Sequence, residues 1–552
     1  MTPAGRIVLQ GQACSRGMAL GRARLIHPAH FDVDDGDIPA GQVSVEIARF
    51  EQALTDARDE MAAIRQRLSG SLVKELGEML DAHALLLDDP VFTDAVRGRI
   101  REERIGTHAA LRRERDRLMA EFAAIEDPYL RSRSEDIEYT IGRVVAALYR
   151  DGTETLDPST LAGEIVVSDQ VAPADLAEWH EHGVLGVVST SGSMLSHSAI
   201  LARSLKLPLL CGIEDALSRI LEGDVVLADG ESGRVVVHPD EDDRQAYLGW
   251  RDEAARDEKR LGRLRKAPTR TADGIDIRLW ANAEQLADVT RAYALGAAGV
   301  GLYRTEFLFL QRATLPDEDE QYQAYANVVR AMKGRVVTIR TLDVGADKAD
   351  RSGLALSHEP NPALGVRGVR LSLLRPDVFT TQLRAILRAA AHGPVRVLIP
   401  MVTDARELRL VRKLFKPARR ALESAGYELG ERVELGAMIE IPAAAIAIES
   451  ILAETDFVSI GTNDLAQYLL AADRNNDAVA NLYEADHQAL SFLIERVAAA
   501  GAVAGKPVAV CGEIAGDPVM VERLLHLGVR ELSMHPGQIL EVRRAIGGIS
   551  LS

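Results

Sequence analysis

The sequence is poor in cysteine and has no long apolar run. Its 552 residues include only three cysteines, Cys14, Cys211 and Cys511, which lie far apart and form no CxxC pair. This spacing argues against a disulfide framework and a structural zinc site, so each cysteine has to be explained singly. No apolar run approaches the roughly 20 residues of a membrane-spanning helix, and the N-terminus lacks the basic and apolar regions of a signal peptide. We therefore expect a cytoplasmic protein.

The sequence also has fewer basic than acidic residues. The formal net charge of −17 disfavours nucleic acid as a partner, because phosphate backbones bind basic surfaces. Apolar residues make up 47% and charged residues 27% of the sequence, as is ordinary for globular proteins. A chain of this length exceeds one ordinary domain and predicts about two to four domains.

Three units are predicted in the first half of the chain. Short apolar runs broken by glycine indicate strands near the N-terminus, and helical spacing then dominates from about Val43 to Tyr149. Apolar runs with glycine or proline at their joints follow, and a highly charged stretch predicts a solvent-exposed helix. The predicted boundaries are 1–30 with 151–240 for an α/β domain, 31–150 for an inserted helical subdomain, and 241–267 for a linker helix.

The second half, residues 268–552, repeats an apolar run followed by an amphipathic segment. The eight runs are IDIRLWAN, GVGLYRTEF, VVTIRTLD, VRVLIPMV, VELGAMIEIP, FVSIGTNDL, PVAVCGEIAGD and ELSMHP. Eight β/α repeats in about 270 residues are typical of a (β/α)8 TIM barrel. We therefore predict an α/β multidomain protein with a C-terminal TIM barrel, and a doubly wound sheet is the alternative for this half.

Polar residues end six of these runs, whereas the interiors of the runs are apolar. In a TIM barrel the C-terminal ends of the strands surround one active-site mouth, so these side chains would meet there. They are Asn282, Arg304, Glu306, Arg340, Asp343, Glu440, Asn463, Asp464, Cys511 and Glu513.

The charged members of this set, together with Arg474 further along the chain, predict a small anionic ligand. Arg304, Arg340 and Arg474 offer planar donor forks suited to phosphate and carboxylate oxygens. Glu440 and Asp464 offer carboxylate oxygens that suit Mg²⁺ bridging the protein and a phosphorylated ligand. The alternative is that the carboxylates simply pair with the arginines. The combination favours metal-assisted phosphoryl transfer.

His197 is the candidate nucleophile of the α/β domain. Small, polar, turn-forming residues precede it and the helical run Ser198 to Arg203 follows it, which predicts an exposed imidazole in the first helical turn. Neutral imidazole is a good nucleophile near pH 7, and a helix N-terminus favours the phosphate it would acquire. A merely structural histidine is the alternative.

Cys511 also has two interpretations. It lies at a strand end that faces the predicted mouth. The thiol could be a buried small side chain or a proton donor to a carbanionic product.

Eight sequence blocks then resemble one known family. They are GSMLSHSAILARSLKLP, DGESGRVVVHP, GAAGVGLYRTEFLF, RTLDVGADK, EPNP with GVRGVR, MIEIPAAA, SIGTNDLAQYLLAADRNN and CGEIAGD. In this order they resemble Enzyme I of the bacterial phosphoenolpyruvate:sugar phosphotransferase system, from about Gly11 to Pro536. That family phosphorylates the carrier protein HPr at the expense of phosphoenolpyruvate.

The resemblance implies a role for each matched residue. It implies that His197 is phosphorylated on Nε2 and that Cys511 protonates the enolate of pyruvate as it leaves. The residues implied to bind phosphoenolpyruvate are Arg304, Arg340, Asn463, Asp464 and Arg474, and those implied to hold Mg²⁺ are Glu440 and Asp464.

The resemblance also implies partners and motion. The α/β domain would be a swivelling phosphohistidine domain, and the helical subdomain would dock HPr. The linker helix would allow His197 to visit the barrel and then the acceptor. The barrels would pair into homodimers, and the reaction would be the first step of sugar uptake.

The sequence departs from the family pattern near the histidine. Ser193 and Leu195 replace the usual second glycine and threonine, Ala172 replaces a threonine before Pro173, and Pro360 interrupts the Glu-Asn-Pro order. These changes remove hydroxyls that could orient the imidazole or its phosphate, so they bear on rate and on acceptor choice.

Three other functions compete with this interpretation. A phosphoenolpyruvate synthase or pyruvate phosphate dikinase would need an ATP-binding domain, and the predicted helical region contains no glycine-rich phosphate loop. A regulatory member of the same family would act on an HPr paralogue outside sugar transport. A non-catalytic binding protein would not need the full set of charged side chains.

Overall fold

The computed structural model describes most of the chain. The described residues are 5–26, 38–67, 84–123, 134–148, 158–169, 171, 173–192, 197–309, 314–345, 354, 359, 361–473, 479, 482, 484 and 486–551. The chain divides into two compact units, residues 1–257 and 258–552. In the described part of the chain, no helix combines the length and the apolar composition that a membrane crossing requires.

Long helices form one part of the first unit. They are α1 (Val43–Arg67), α2 (Pro90–Glu102), α3 (Thr107–Ala123) and α4 (Ser134–Leu148). Each helix contributes an apolar stripe to a common core, in which Phe50, Ile100, Leu111 and Ile141 are fully buried. Asp89 caps α2 by accepting a hydrogen bond from the N–H of Val91 at 2.8 Å.

An eight-stranded mixed sheet forms the other part of the first unit. Its strands are β1 (Ile7–Gln10), β2 (Gln12–Ser15), β3 (Met18–Ile26), β4 (Glu164–Ser168), β5 (Gly186–Ser189), β6 (Leu209–Cys211), β7 (Val225–Asp229) and β8 (Arg234–Val237). Their order is β1-β8-β7-β3-β4-β5-β6-β2, and β3 to β6 run parallel. This α/β part confirms the predicted fold class.

The sheet is buried on both faces. Side chains alternate along β4, so Val166 enters one core while Ile165 and Val167 enter the other. The helices of this part are α5 (Pro173–Glu181), α6 (His197–Leu205) and α7 (Ala216–Arg219). Ala199 of α6 packs into the same core as Val166, which anchors the helix that begins at His197.

Cys14 and Cys211 lie side by side in this sheet. Strand β2 runs antiparallel to β6, with Gln12 opposite Cys211. The two thiols hydrogen-bond to each other, which lowers the pKa of Cys14 and raises that of Cys211. The structure thus brings together two free cysteines that the sequence analysis treated singly, because strand pairing joins residues that are distant in sequence.

A long exposed helix, α8 (Glu241–Arg263), follows β8 and has no buried residue. The boundary between the two units falls within it. At its N-terminal end, Arg6 donates to Asp243 at 2.7 Å and so ties the helix to β1.

The second unit is a closed barrel of eight parallel strands, as predicted. The strands are β9 (Arg278–Ala283), β10 (Val300–Tyr303), β11 (Val337–Arg340), β12 (Val395–Ile399), β13 (Glu434–Ile439), β14 (Phe457–Ile460), β15 (Val508–Val510) and β16 (Glu531–Met534). Seven lie within their predicted runs, and β9 extends one residue past its run, to Ala283. Pairing of β16 with β9 closes the barrel and eliminates the doubly wound alternative.

Helices surround the barrel. They are α9 (Leu286–Ala294), α10 (Glu318–Ala331), α11 (Val369–Leu374), α12 (Pro376–Ala389), α13 (Ala405–Ser424), α14 (Pro442–Ile446), α15 (Ile448–Ala453), α16 (Thr462–Leu470), α17 (Gln488–Ala504), α18 (Pro518–His526) and α19 (Ile539–Ile546). The largest core lies between strands and helices. A separate small cluster that includes Leu398, Met438 and Cys511 comes from the alternate strand positions and fills the interior.

Candidate active site

Six predicted site residues lie at the C-terminal ends of barrel strands. Arg304 follows β10, Arg340 ends β11, Glu440 follows β13, Asn463 and Asp464 begin α16 after β14, and Cys511 follows β15. Since these strand ends surround one mouth, the residues converge there. Their charges act on one another, and the pKa of Cys511 is influenced by Glu440, Arg340 and Arg304.

Arg340 is held between two carboxylates. Its Nη2 donates to Oε1 of Glu306 at 2.9 Å, and its Nη1 lies 3.2 Å from Oδ2 of Asp343. Burial opposes the guanidinium charge, but these carboxylates outweigh it and raise the pKa of Arg340. Within the described residues its Nε is buried without a hydrogen-bond partner. One N–H donor of Arg340 therefore has no hydrogen-bond partner among the described residues.

Arg367 joins the site although the sequence analysis assigned it no role. Its Nε and Nη2 donate to the two carboxylate oxygens of Asp343 at 3.1 and 2.9 Å. The same Nη2 donates to Oδ2 of Asp464 at 3.3 Å. Burial opposes the charge of Arg367, but the attraction of the Asp343 and Asp464 carboxylates outweighs this effect and raises the pKa of Arg367. A second, largely buried guanidinium thus lies beside Arg340.

Arg304 is the most accessible of the described site arginines. Its side chain is 40% exposed and donates through Nη1 to Oε1 of Glu284 at 2.6 Å. The alternative in which site carboxylates pair with arginines thus describes part of the site. Arg304 pairs with Glu284, and Asp464 pairs with Arg367.

Glu440 is different, because it is buried without an ion pair among the described residues. Only 1% of its surface is exposed, and its Oε1 accepts a hydrogen bond from the N–H of Met401 at 2.5 Å. Burial and then the negative charges of Asp343 and Asp464 raise the pKa of Glu440 to about 8. Its Oε2 faces Gly461, where an added Cβ would lie 3.0 Å away.

This excess of carboxylate charge fits a divalent cation. In the described part of the chain, no group of three His, Cys, Asp or Glu side chains could hold a metal alone. Mg²⁺ commonly takes only one or two protein carboxylates and completes its shell with water and substrate phosphate oxygens. Glu440 and Asp464 match that pattern, and glycine at position 461 avoids a side chain that would lie 3.0 Å from the Glu440 carboxylate.

Two amide side chains fix the turns around the mouth. Asn463 donates to Oε1 of Glu513 at 2.8 Å and accepts from the N–H of Glu513 at 3.0 Å. Asn282 donates to the carbonyl of Cys511 at 3.0 Å and accepts from Ser533 at 2.7 Å. These bonds hold the strand end that carries Cys511 against its neighbours.

Cys511 is a buried thiol with 4% exposure. Its Sγ donates to the carbonyl of Ile460 at 3.5 Å. Burial raises the pKa of Cys511 to about 11, although the neighbouring Ser459 hydroxyl opposes the rise. The thiol is therefore protonated near neutral pH, as a proton donor must be.

His197 is the first residue of α6, as the sequence predicted. Ser198 donates to the carbonyl of Val171, which follows β4, at 2.5 Å, and Arg203 donates to the carbonyl of Cys14 in β2 at 2.9 Å, so the helix is held in place at two points. The imidazole itself lies outside what the structure describes, so the nucleophile role stays a prediction.

Five further residues singled out in the sequence lie outside the described residues. They are Arg474, Ala172, Ser193, Leu195 and Pro360. The predicted binding role of Arg474 and the effect of the four departures therefore stay predictions.

Arg367 and Tyr468, whose hydroxyl accepts a hydrogen bond from Nη1 of Arg367 at 3.2 Å, were missed for an identifiable reason. Arg367 precedes Gly368 in a loop rather than a strand, so a search of strand ends does not find it. Tyr468 lies on α16 four residues after Asp464, and that helical spacing was the available signal.

Three family models match the chain. They are described as PEP-utilising enzyme, N-terminal, at residues 10–133; PEP-utilising enzyme, mobile domain, at residues 161–233; and PEP-utilising enzyme, PEP-binding domain, at residues 258–551. The barrel with the clustered charges is thus similar to a phosphoenolpyruvate-binding domain.

Curated relatives match nearly the whole chain. A phosphoenolpyruvate-protein phosphotransferase of Cupriavidus necator is 43% identical over 98% of this chain and 94% of its own length. One of Staphylococcus epidermidis is 36% identical over 98% of this chain and 94% of its own length. An NMR structure of Enzyme I covers 45% of this chain and 99% of that chain, with 29% identity and a TM-score of 0.38.

Proposed function

The chain belongs to the phosphoenolpyruvate-protein phosphotransferase family, and on that premise we propose that it transfers phosphate from phosphoenolpyruvate through His197 to an HPr-type carrier. Pyruvate would leave as the second product. The observation that carries the proposal is the charge cluster at the barrel mouth, where buried Arg340 and Arg367 lie beside Glu440 and Asp464.

The arginines suit both anionic groups of phosphoenolpyruvate. Carboxylate and phosphate accept paired hydrogen bonds from guanidinium forks. Arg340 has an Nε without a described hydrogen-bond partner, and Arg304 is exposed enough to turn from Glu284 to a ligand. We assign phosphoenolpyruvate binding to these two residues together with Arg367, Asn463, Asp464 and Arg474.

Glu440 and Asp464 are the residues that would hold Mg²⁺. When bound, the ion would neutralise and orient the phosphate oxygens. The protein contributes two carboxylates fixed by Met401 and by Arg367. That fixation keeps the charge in place as phosphate is transferred, without reorganisation during the reaction.

The phosphoryl step requires a nucleophile and a proton donor. An imidazole nitrogen of His197 would form the new bond to phosphorus as the bond from phosphorus to the enol oxygen breaks, leaving the electron pair on the enolate. Cys511 would then donate its proton to the methylene carbon, giving pyruvate and a thiolate. The thiolate would recover a proton from solvent, with Arg340 and Arg304 near enough to favour it meanwhile.

We further propose that the acceptor is an HPr-type carrier that acts in sugar uptake. The helical part of the first unit exposes Val45 by 62% and Val91 by 70%, which gives apolar surface outside the barrel. The alternative acceptor is an HPr paralogue of a regulatory branch. We also propose that two copies of the chain form a homodimer through their barrels.

Radiolabelled phosphoenolpyruvate with Mg²⁺ tests the first step without any partner. The wild-type protein should acquire acid-labile, base-stable label, and His197→Ala should not. His180→Ala is the matched control, because His180 is an exposed histidine in the same domain and should leave labelling unchanged. A folded wild-type protein that takes up no label would contradict the proposal.

Labelled protein then tests the acceptor. Sugar-branch HPr and a regulatory paralogue should be offered in separate reactions, and transfer at least about tenfold faster to the sugar-branch carrier is expected. Faster transfer to the paralogue would establish the alternative. Analytical ultracentrifugation with and without phosphoenolpyruvate tests the dimer.

A further inference from the structure

Tyr468 connects the loop that carries Arg367 to the helix that carries Asp464. Both Asp464 and Tyr468 belong to α16, and their spacing of four residues places them on one face of the helix. Arg367 reaches both, donating to Oδ2 of Asp464 at 3.3 Å and to the hydroxyl of Tyr468 at 3.2 Å. Asp464 and Tyr468 therefore both accept hydrogen bonds from the guanidinium of Arg367.

The direction of the hydrogen bonds at Tyr468 is fixed. A guanidinium can only donate, so the phenol oxygen accepts from Nη1 of Arg367. A carbonyl can only accept, so the phenol proton goes to the carbonyl of Ala363, 2.5 Å away. The hydroxyl thus uses a lone pair and its single proton to join Arg367 to the segment that begins at Pro362.

The remaining donors of Arg367 are directed elsewhere. Nε and Nη2 bind Asp343, which follows β11, and Nη2 also reaches Asp464. Nη1 has Tyr468 as its described partner. Two separate parts of the barrel mouth, the end of β11 and α16, therefore set the orientation of this side chain, and Tyr468 fixes the nitrogen that the carboxylates leave free.

The backbone next to Arg367 is already constrained. Gly368 has a φ of 55°, and a Cβ there would lie 2.7 Å from the side chain of Met401. Met401 also lies 4.0 Å from the Tyr468 hydroxyl. The base of Arg367 is thus held by backbone packing, so the guanidinium end is the part whose position depends on the phenol.

We propose that Tyr468 is a positioning residue that presets Arg367 for the anionic substrate by joining it to the Ala363 carbonyl and to α16. This inference rests on the proposed function of the barrel. Burial raises the pKa of Tyr468, which keeps the hydroxyl protonated throughout the working pH range. Loss of the hydroxyl would leave a partly buried donor and an acceptor without their described partner.

Tyr468→Phe tests the proposal because it removes only the hydroxyl. We expect the KM for phosphoenolpyruvate in His197 labelling to rise about tenfold, with kcat changing less than about twofold. The reason is that Arg367 would lose its fixed position in the substrate complex and in the transition state equally. Transfer of phosphate from a phosphorylated carrier back to His197 should not change. Tyr427→Phe is the matched control, because Tyr427 is 44% exposed and packs against Arg388.

A double-mutant cycle with Arg367→Lys tests whether Tyr468 acts through Arg367. Tyr468→Phe should change KM less than about twofold in the Arg367→Lys background, since the shared interaction is already broken. An unchanged KM in Tyr468→Phe, or the same tenfold rise in both backgrounds, would overturn the inference. Absence of labelling in the wild-type protein would instead contradict the proposed function, so the two failures are distinguishable.

Discussion

The backbone N–H of Met401 donates to Oε1 of Glu440 at 2.5 Å, and this contact orients the most deeply buried acid of the mouth. Met401 has a φ of 58°, which is uncommon for a residue other than glycine. Its fixed N–H holds one carboxylate oxygen and directs the other toward Gly461. The proposed cation ligand is therefore positioned by the backbone that follows β12.

Glu440→Gln should abolish Mg²⁺-dependent labelling while preserving the fold. The amide oxygen can still accept from Met401, but the negative charge is lost. We expect the initial labelling rate to fall about 100-fold or more, with the unfolding temperature, measured by circular dichroism, lowered by no more than a few degrees. Glu434→Gln, at the opposite end of β13, is the control and should label normally. A normal Mg²⁺ dependence in Glu440→Gln would argue against the ligand role.

Cys511→Ala should separate the two phosphoryl reactions. Labelling from phosphoenolpyruvate should slow by about 100-fold, as for loss of a general acid. Transfer from a phosphorylated carrier to His197 needs no enolate and should proceed normally. Single-turnover rates in both directions measure this difference, and equal loss in both directions would count against the proton-donor role. Cys14→Ala serves as the cysteine control.

The pH profile should report the raised pKa of Cys511. A thiol donates a proton only below its pKa, and burial raises that of Cys511 from an ordinary 9.0 to about 11. The difference in labelling rate between the wild-type protein and Cys511→Ala should therefore stay constant from about pH 7 to 9 and decline only toward pH 11. A decline centred near pH 9 would show an ordinary thiol pKa.

Asp343→Asn should damage both stability and substrate binding. Asp343 binds Arg367 at 2.9 Å and Arg340 at 3.2 Å, and its side chain is 1% exposed. Removing one partner from a buried ionic cluster leaves the others uncompensated and costs about 3 kcal/mol. Urea unfolding should show the loss, and the KM for phosphoenolpyruvate should rise. Asp377→Asn is the control, since Asp377 is exposed and pairs with Arg375; an equal effect there would refute the cluster interpretation.

All three thiols should be protected in the folded protein. Cys14, Cys211 and Cys511 are exposed by 1%, 2% and 4%. Since alkylation requires an accessible thiolate, N-ethylmaleimide should label none within minutes under native conditions and all three in guanidinium chloride. Mass spectrometry counts the labels. Rapid native modification of Cys14 or Cys211 would show that the sheet edge opens readily.

The barrel could be predicted because each strand carries its own signal. A strand of a parallel barrel is buried on both sides, so it is an apolar run with a polar residue at its exit. Arg340, Glu440 and Cys511 follow such runs, and the structure places each at the C-terminal end of its strand. Their positions are therefore confirmed, while their chemical roles stay predictions.

The sequence by itself thus determined the fold class, the barrel and which charged residues reach its mouth, because these depend on local periodicity and strand order. Only the tertiary structure decided which side chains meet there. Arg367 lies between Asp343 and Asp464 because a loop crosses the mouth, and Cys14 meets Cys211 because β2 pairs with β6. Such contacts depend on how segments that are distant in sequence pack in three dimensions. Neither the spacing of residues along the chain nor its composition shows directly which side chains come into contact.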